Sequence, residues 1–316
     1  MATAAGGAAG SGDAMIVESI SIPCRDGFQL AATLRLPAST RAARGLVIIN
    51  CATGVAARYY RRYAEFLTGH GLAALTWDYR GVGDSRPENL RGCRIRWRDW
   101  GELDFDAVVN WARARDPSGL VAVVGHSIGG FLPGFAAAAP RVDRYLTVGA
   151  QYAYWRDYAA HARARLWIKW HVAMPALTAL WGYFPGRRLG WLEDLPAGVA
   201  YEWSFRRARM ERSYPLAERA GVLARFAAVR APILALAASD DEYATLSALR
   251  RGLAYYIGAE RKCLSLSPEE LGREAIGHFS LFHVNYQEPF WPTTISWLRD
   301  GVNPWPWALH LPAEAV

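Results

Sequence analysis

Apolar and polar residues alternate from Ile16 to Ile22, Arg25-Asp26-Gly27 interrupts them, and the apolar pattern resumes from Leu30 to Leu36. Period two on both sides of a glycine-bearing turn predicts a β-hairpin. Further on the pattern changes. Gly45 to Asn50, Leu72 to Trp77, Leu120 to Val124, Tyr145 to Val148, Ile233 to Ala238 and Lys262 to Leu266 are short apolar runs. Such runs suit strands buried on both faces. Between them the spacing turns helical. Arg58 to Thr68 places Tyr59, Tyr63 and Phe66 on one side. Phe105 to Ala114, Ile128 to Ala139, Tyr243 to Tyr255 and Pro289 to Arg299 read as further helices. Strands alternating with helices predict an α/β protein: a mostly parallel sheet with helices on both faces. Ligands of such sheets bind outside the carboxyl ends of the strands.

One stretch breaks the rhythm. Residues 151–230 separate two predicted strands by far more than an ordinary crossover. The stretch is helical in pattern and rich in Trp, Tyr and Arg. It predicts a helical cap inserted over the sheet edge. The scaffold then comprises 15–150 and 231–316, and residues 1–14, small and polar, predict a flexible tail. The cap holds six of the 14 tryptophans. Aromatic walls suit an apolar acyl or ring group. Trp155, Trp170 and Trp181 are candidates for such a wall, with plain packing onto the sheet as the alternative for each.

Composition narrows the classes. With 316 residues, 52% hydrophobic and 21% charged, the chain excludes global disorder. The four cysteines, Cys24, Cys51, Cys93 and Cys263, are far apart and form no C-x-x-C pair. That argues against a zinc site or disulfide framework and for free thiols in a reducing cytoplasm. No basic and apolar leader opens the sequence, and the apolar stretch from Trp167 to Trp181 contains Lys169, His171 and Pro175 and is too short to span a membrane. The formal charge of +7 has an address: residues 151–230 hold thirteen basic and six acidic residues, which is the whole excess. The arginines of the cap are therefore expected to steer an anionic substrate. No nucleic-acid motif accompanies them. The basic run Arg91 to Arg98 reads as a solvated loop.

The chemistry centres on Gly125-His126-Ser127-Ile128-Gly129-Gly130, where a buried strand runs into G-x-S-x-G and a helix follows. Only glycines tolerate so sharp a turn, which lifts the serine hydroxyl above the sheet edge. The bland alternative is a glycine turn with a helix-capping serine. A serine nucleophile needs a base, and the base an orienting acid; in chains that carry such a strand–G-x-S-x-G–helix elbow, as the α/β hydrolases do, the acid and then the histidine follow the serine. Ser239-Asp240-Asp241-Glu242 leaves a predicted strand, and Asp241 is favoured over its neighbours Asp240 and Glu242. Of the seven histidines, His278 in Ile276-Gly277-His278-Phe279 has the order and the loop. His126 should point away from the reaction, and His283 reads as a core residue. An oxyanion needs backbone N–H donors. Ile128, directly after the nucleophile, supplies one; Ala52, with Thr53 next, is expected to supply the other. Cys51 reads as a small buried thiol without a base.

These motifs resemble the α/β-hydrolase superfamily, in its serine aminopeptidase-like group of bacterial hydrolases. DGFQLAATLRLP (26–37), NCATGV (50–55), WDYRGVGDS (77–85), GHSIGG (125–130), SDDEYAT (239–245) and IGHF (276–279) carry the likeness along most of the chain. The resemblance implies Ser127, Asp241 and His278 as a triad, with Asp78, Arg80 and Asp84 holding loops. One departure stands out: many relatives have His-Gly where Asn50-Cys51 stands. The reading is a serine esterase acting on a small acyl substrate, anionic by the cap's charge, with no metal or organic cofactor and its oligomeric state open. An acyltransferase of the same fold, an N-terminal-residue peptidase and a non-catalytic binding module are the rivals. Dehalogenases and epoxide hydrolases of this fold use an aspartate nucleophile, against Ser127.

Overall fold

The computed structural model describes residues 15–38 and 43–312; the tail expected at residues 1–14 lies outside the described residues. Strands β1 (Ile16–Pro23) and β2 (Gln29–Leu36) form the hairpin, with Ile16 opposite Leu36. β3 (Leu46–Asn50), β4 (Ala73–Trp77), β5 (Val121–His126) and β6 (Arg144–Val148) follow. β7 (Tyr183–Phe184) and β8 (Leu195–Pro196) form a separate two-stranded ribbon. β9 (Ile233–Ala238), β10 (Arg261–Leu266) and β11 (Leu309–His310) complete the set. The main sheet runs β1-β2-β4-β3-β5-β6-β9-β10-β11. It is parallel from β4 to β10, with antiparallel strands at its edges. Every residue of β4, β5 and β9 is buried. Their unbroken apolar runs reflect that both faces are covered.

Helices depart from their expected lengths for local reasons. Of Ile128 to Ala139, only Ile128–Phe131 is α-helical, and a tighter turn follows at Leu132–Phe135. Pro133 has no N–H to continue the ladder, and its ring collides with the carbonyl four residues back. The helix expected from Tyr243 starts only at Leu246, where the Thr245 hydroxyl accepts the Ala248 N–H at 3.3 Å. The N–H groups of Tyr243 and Ala244 are engaged by a side chain of the site instead.

The insertion divides. Its helices Arg163–Trp167, Met174–Trp181 and Ala197–Ser204 form the roof, with Trp170 stacked on Trp203 at 4.5 Å. The last helix, Leu216–Ala228, behaves otherwise. It buries Val222 and Phe226, and the Phe226 ring lies 5.0 Å from both Phe131 and Phe135, behind the serine turn. That helix is the crossover into β9. The cap expected over 151–230 thus includes a segment whose apolar face is spent on the scaffold.

Candidate active site

β5 ends at His126, and the next residue, Ser127, holds φ 54° and ψ −123°. A non-glycine residue there costs about 1–3 kcal/mol, so the surroundings must enforce it. They do so through the backbone. Ser127 N–H donates to the Val148 carbonyl at 2.9 Å, and Gly130 N–H to the Ser127 carbonyl at 3.0 Å. A Cβ on Gly129 would lie 2.5 Å from the Asn50 carbonyl oxygen, and one on Gly130 2.6 Å from Ala150 Cβ. The glycines are therefore required by close approach: the helix start is jammed against the ends of β3 and β6. Ser127 lines a chamber, and its hydroxyl has no hydrogen-bond partner among the described residues.

His278 reaches the same chamber from the loop after β10. Its Nδ1 lies 2.7 Å from Asp241 Oδ2. Asp241 Oδ1 accepts the N–H groups of Tyr243 at 2.7 Å and Ala244 at 2.9 Å. Burial pushes the Asp241 carboxyl up, but the His278 charge and these hydrogen bonds outweigh it and hold it below the ordinary carboxylate range. The neighbouring acids do other work. Asp240 accepts Ile276 N–H at 2.8 Å and Gly277 N–H at 2.9 Å, so it fixes the loop that carries the histidine. Glu242 pairs with Arg165 at 2.6 Å and sits 3.3 Å from His161. Among the three, Asp241 alone touches His278. His283, expected in the core, is exposed and caps a turn instead, its Nδ1 accepting Asn285 N–H at 3.3 Å.

Beneath the turn runs a buried chain of hydrogen bonds. His126 Nε2–H donates to the His278 carbonyl at 2.8 Å, which leaves Nδ1 to accept from the Tyr60 hydroxyl at 2.7 Å. Tyr60 in turn accepts the Ala52 N–H at 2.9 Å. Burial, with the His278 charge, lowers the His126 pKa to about 3, so the ring is neutral. This chain changes the oxyanion assignment. Ala52, expected as the second donor, spends its N–H on Tyr60, whereas Thr53 N–H has no partner among the described residues and Thr53 lines the chamber. Ile128 opens its helix, so its N–H is unpaired within it. Asn50, which replaces the usual histidine, is a buried spacer: it donates to the Gly129 carbonyl at 3.1 Å and accepts Trp77 Nε1–H at 3.1 Å. Burial pushes the Cys51 thiol well up, and it donates to the Trp77 carbonyl. Asp78 accepts N–H groups of Ala57 at 2.7 Å and Asp84 at 3.0 Å, and Arg80 pairs with Asp104 at 2.5 Å and Asp26 at 2.6 Å. Asp78 and Arg80 thus hold loops, whereas Asp84 is exposed and takes part only through its backbone N–H.

The chamber has a volume of about 560 Å³. Ser127, Ile128, Thr53 and His278 form its floor, and Trp170, Trp191 and Trp203 belong to its roof. Trp155 and Trp181, expected beside Trp170, do not line it. Trp155 packs its ring against Trp167 at 6.3 Å, and Trp181 offers its carbonyl to Arg91 at 2.9 Å. None of the cap's arginines lines the chamber either. The run from Arg91 to Arg98 is not simply solvated. Trp97 is buried and lines the chamber, and Arg98 is buried against Glu102 at 2.6 Å and against Glu218. Its signal in the sequence was only an aromatic residue inside a basic run. The roof is clipped down at one turn: Glu193 N–H donates to the Gly54 carbonyl at 2.8 Å, and Arg58 pairs with Glu193 at 2.5 Å.

The strand order, the strained serine turn and the histidine–carboxylate pair define a hydrolase-type α/β scaffold. The sequence model of the alpha/beta hydrolase family matches residues 46–284, and the chain belongs to that family. A curated relative, Hydrolyase poxO of Penicillium oxalicum, is 28% identical over 283 residues; the match covers 79% of this chain and 63% of that protein's length. Among solved structures, an esterase of Pyrococcus furiosus is similar at 14% identity and TM-score 0.57, covering 94% of this chain and 95% of that one. Est1E of Butyrivibrio proteoclasticus, solved with ferulic acid bound, is similar at 17% identity and TM-score 0.55, covering 89% and 97%. At these identities the structural likeness speaks for the fold. No helix among the described residues is long and apolar enough to cross a membrane.

Proposed function

We propose that the protein is a serine hydrolase that cleaves a carboxylic ester through an acyl-enzyme. The observation that carries this reading is the meeting of Ser127 and His278 on one chamber while Asp241 holds the far side of the histidine ring. His278 Nε2 takes the Ser127 proton as Oγ attacks the acyl carbon, and Asp241 fixes the tautomer and balances the imidazolium. The N–H groups of Ile128 and Thr53 hold the oxyanion. The histidine then gives its proton to the departing alcohol. Water, deprotonated by the same nitrogen, releases the acid and restores Ser127.

Two features favour an ester over a peptide N-terminus. An ammonium group would need a carboxylate in the chamber, and Glu193, which lines it, is already paired with Arg58 and Arg187. The aromatic roof suits an apolar acyl or ring-bearing group. Esterases among the similar structures fit this direction. The test is Ser127→Ala. Hydrolysis of p-nitrophenyl butyrate, and labelling by a fluorophosphonate probe, should vanish while the circular dichroism spectrum stays unchanged. Activity that survives the substitution overturns the reading.

A further inference from the structure

Only two of the 36 basic residues are lysine, Lys169 and Lys262. One of the two stands in the chamber. Lys169 Nζ lies 4.3 Å from the centre of the Trp191 ring and 4.6 Å from that of Trp170. Ring faces attract an ammonium group, but they leave its three N–H donors without a lone-pair acceptor. No carboxylate lies within ion-pair distance of Lys169 among the described residues. The nearby arginines differ in this respect. Arg58 and Arg187 share Glu193, and Arg165 has Glu242. Lys169 is thus the cation lining the chamber that has no carboxylate partner among the described residues, whereas Arg58 has Glu193.

The backbone is unusual at the same place. Ile168–Ala173 winds as a π-helix, a wider turn that recurs at functional sites. Pro175, just beyond, lacks the N–H that a regular helix would use, and the Trp170 carbonyl accepts the Ser204 hydroxyl at 2.8 Å. The extra residue in the turn lets Lys169 and Trp170, adjacent in sequence, both line the chamber. Partial burial, followed by the Arg165 charge, holds the Lys169 ammonium below the ordinary lysine value.

We infer that Lys169 is a carboxylate hook: the ester cleaved at Ser127 carries a second, free carboxylate that pairs with Lys169 Nζ against Trp170 and Trp191. This rests on the hydrolase reading and names its substrate class. A carboxylate fits better than a phosphate dianion, for which a single ammonium without an arginine fork or a ring of backbone N–H groups supplies too few donors. The source of selectivity is thus one lysine inside the roof, and not the arginines on its outside.

The experiment uses p-nitrophenyl hemiesters of dicarboxylic acids of increasing length, each beside the neutral p-nitrophenyl alkanoate of equal length. The readout is the ratio of kcat/KM, anionic over neutral, at low salt. The ratio should peak at one chain length, where the carboxylate reaches Lys169. Lys169→Met should lower that peak by about tenfold or more, the loss of one charge-assisted contact. Lys169→Arg should keep part of it, and Lys262→Met all of it. In the unaltered protein, the free dicarboxylic acid of matching length should slow fluorophosphonate labelling of Ser127, which needs no variant to fold. A ratio without a peak, or a peak untouched by Lys169→Met, overturns the hook. In that case, neutral-ester hydrolysis that still requires Ser127 keeps the hydrolase reading standing. A protein that neither labels nor turns over at Ser127 overturns both.

Discussion

The floor of the chamber is shaped by backbone, and its roof by side chains. At the floor, Ser127 is wedged between the ends of β3 and β6, with Gly125, Gly129 and Gly130 placed where any Cβ would collide with a neighbour. The acid is fixed by two N–H groups, and the histidine loop by Asp240 and the His126 chain. At the roof, indole rings, one ammonium group and a clip at Glu193 do the shaping. The difference teaches where change is tolerated. A backbone-jammed turn admits almost no substitution, because relief would require moving strands. A roof of side chains can be re-cut residue by residue, which suits the part that selects the substrate.

The comparison breaks first at Asp241. Asp241→Asn should lower kcat for a p-nitrophenyl ester by about 10⁴-fold, since an amide opposite Nδ1 favours the wrong tautomer. A loss below tenfold would mean the carboxylate is mere scaffolding. The next largest effect concerns stability. The folded state holds His126 neutral down to about pH 3, whereas an unfolded histidine takes up a proton near pH 6.5. The unfolded state therefore binds more protons between those values, and stability falls as pH falls. Between pH 6.5 and 4 this one ring should contribute a loss of about 3 kcal/mol. Urea unfolding of the parent and of His126→Gln at both pH values isolates it; parallel pH slopes would show that the ring protonates while folded. At the roof, Trp170→Ala removes a ring stacked on Trp203 and facing the chamber, and should lower kcat/KM about tenfold through KM. Trp181→Ala, outside the chamber, should stay within about twofold. Equal effects from the two would mean that the roof acts by bulk packing and not by contact with substrate.

The floor was largely legible in the sequence. Continuous apolar runs mark strands covered on both faces, and G-x-S-x-G between strand and helix leaves little room for another geometry. Asp241 and His278 followed from order and loop position. The roof was not legible for a physical reason. Helical periodicity presumes 3.6 residues per turn, and the π-turn at Ile168–Ala173 adds a residue that rotates everything after it. Trp170 therefore faces the chamber while Trp181 does not, although both sit in one aromatic helix. The division within the insertion was hidden likewise. The helix Leu216–Ala228 has a buried face, but only packing reveals that Phe226 meets Phe131 behind Ser127. Net charge could not single out a residue: none of the cap's arginines lines the chamber, whereas Lys169, one of the same thirteen basic residues, does. Ala52 could not be separated from Thr53 because the Tyr60 hydroxyl that claims its N–H sits eight residues on.

The finest test lies within one loop, where three successive carboxylates divide the labour between floor and roof. Asp241 holds the His278 ring, Asp240 holds the backbone of the His278 loop, and Glu242 ties its own loop to the roof through Arg165. Asp240→Ala leaves the Ile276 and Gly277 N–H groups without their acceptor. The loss of two charge-assisted bonds to a part-exposed loop should let His278 wander and lower kcat severalfold, with KM little changed. Glu242→Gln removes only an exposed ion pair, worth about 0–1 kcal/mol. Its effect on kcat/KM should stay within about twofold and shrink further in salt. Had the order been reversed, with Glu242→Gln the more damaging, the roof's grip on the loop would set the base, and the distinction between a backbone floor and a side-chain roof would fail where the two meet.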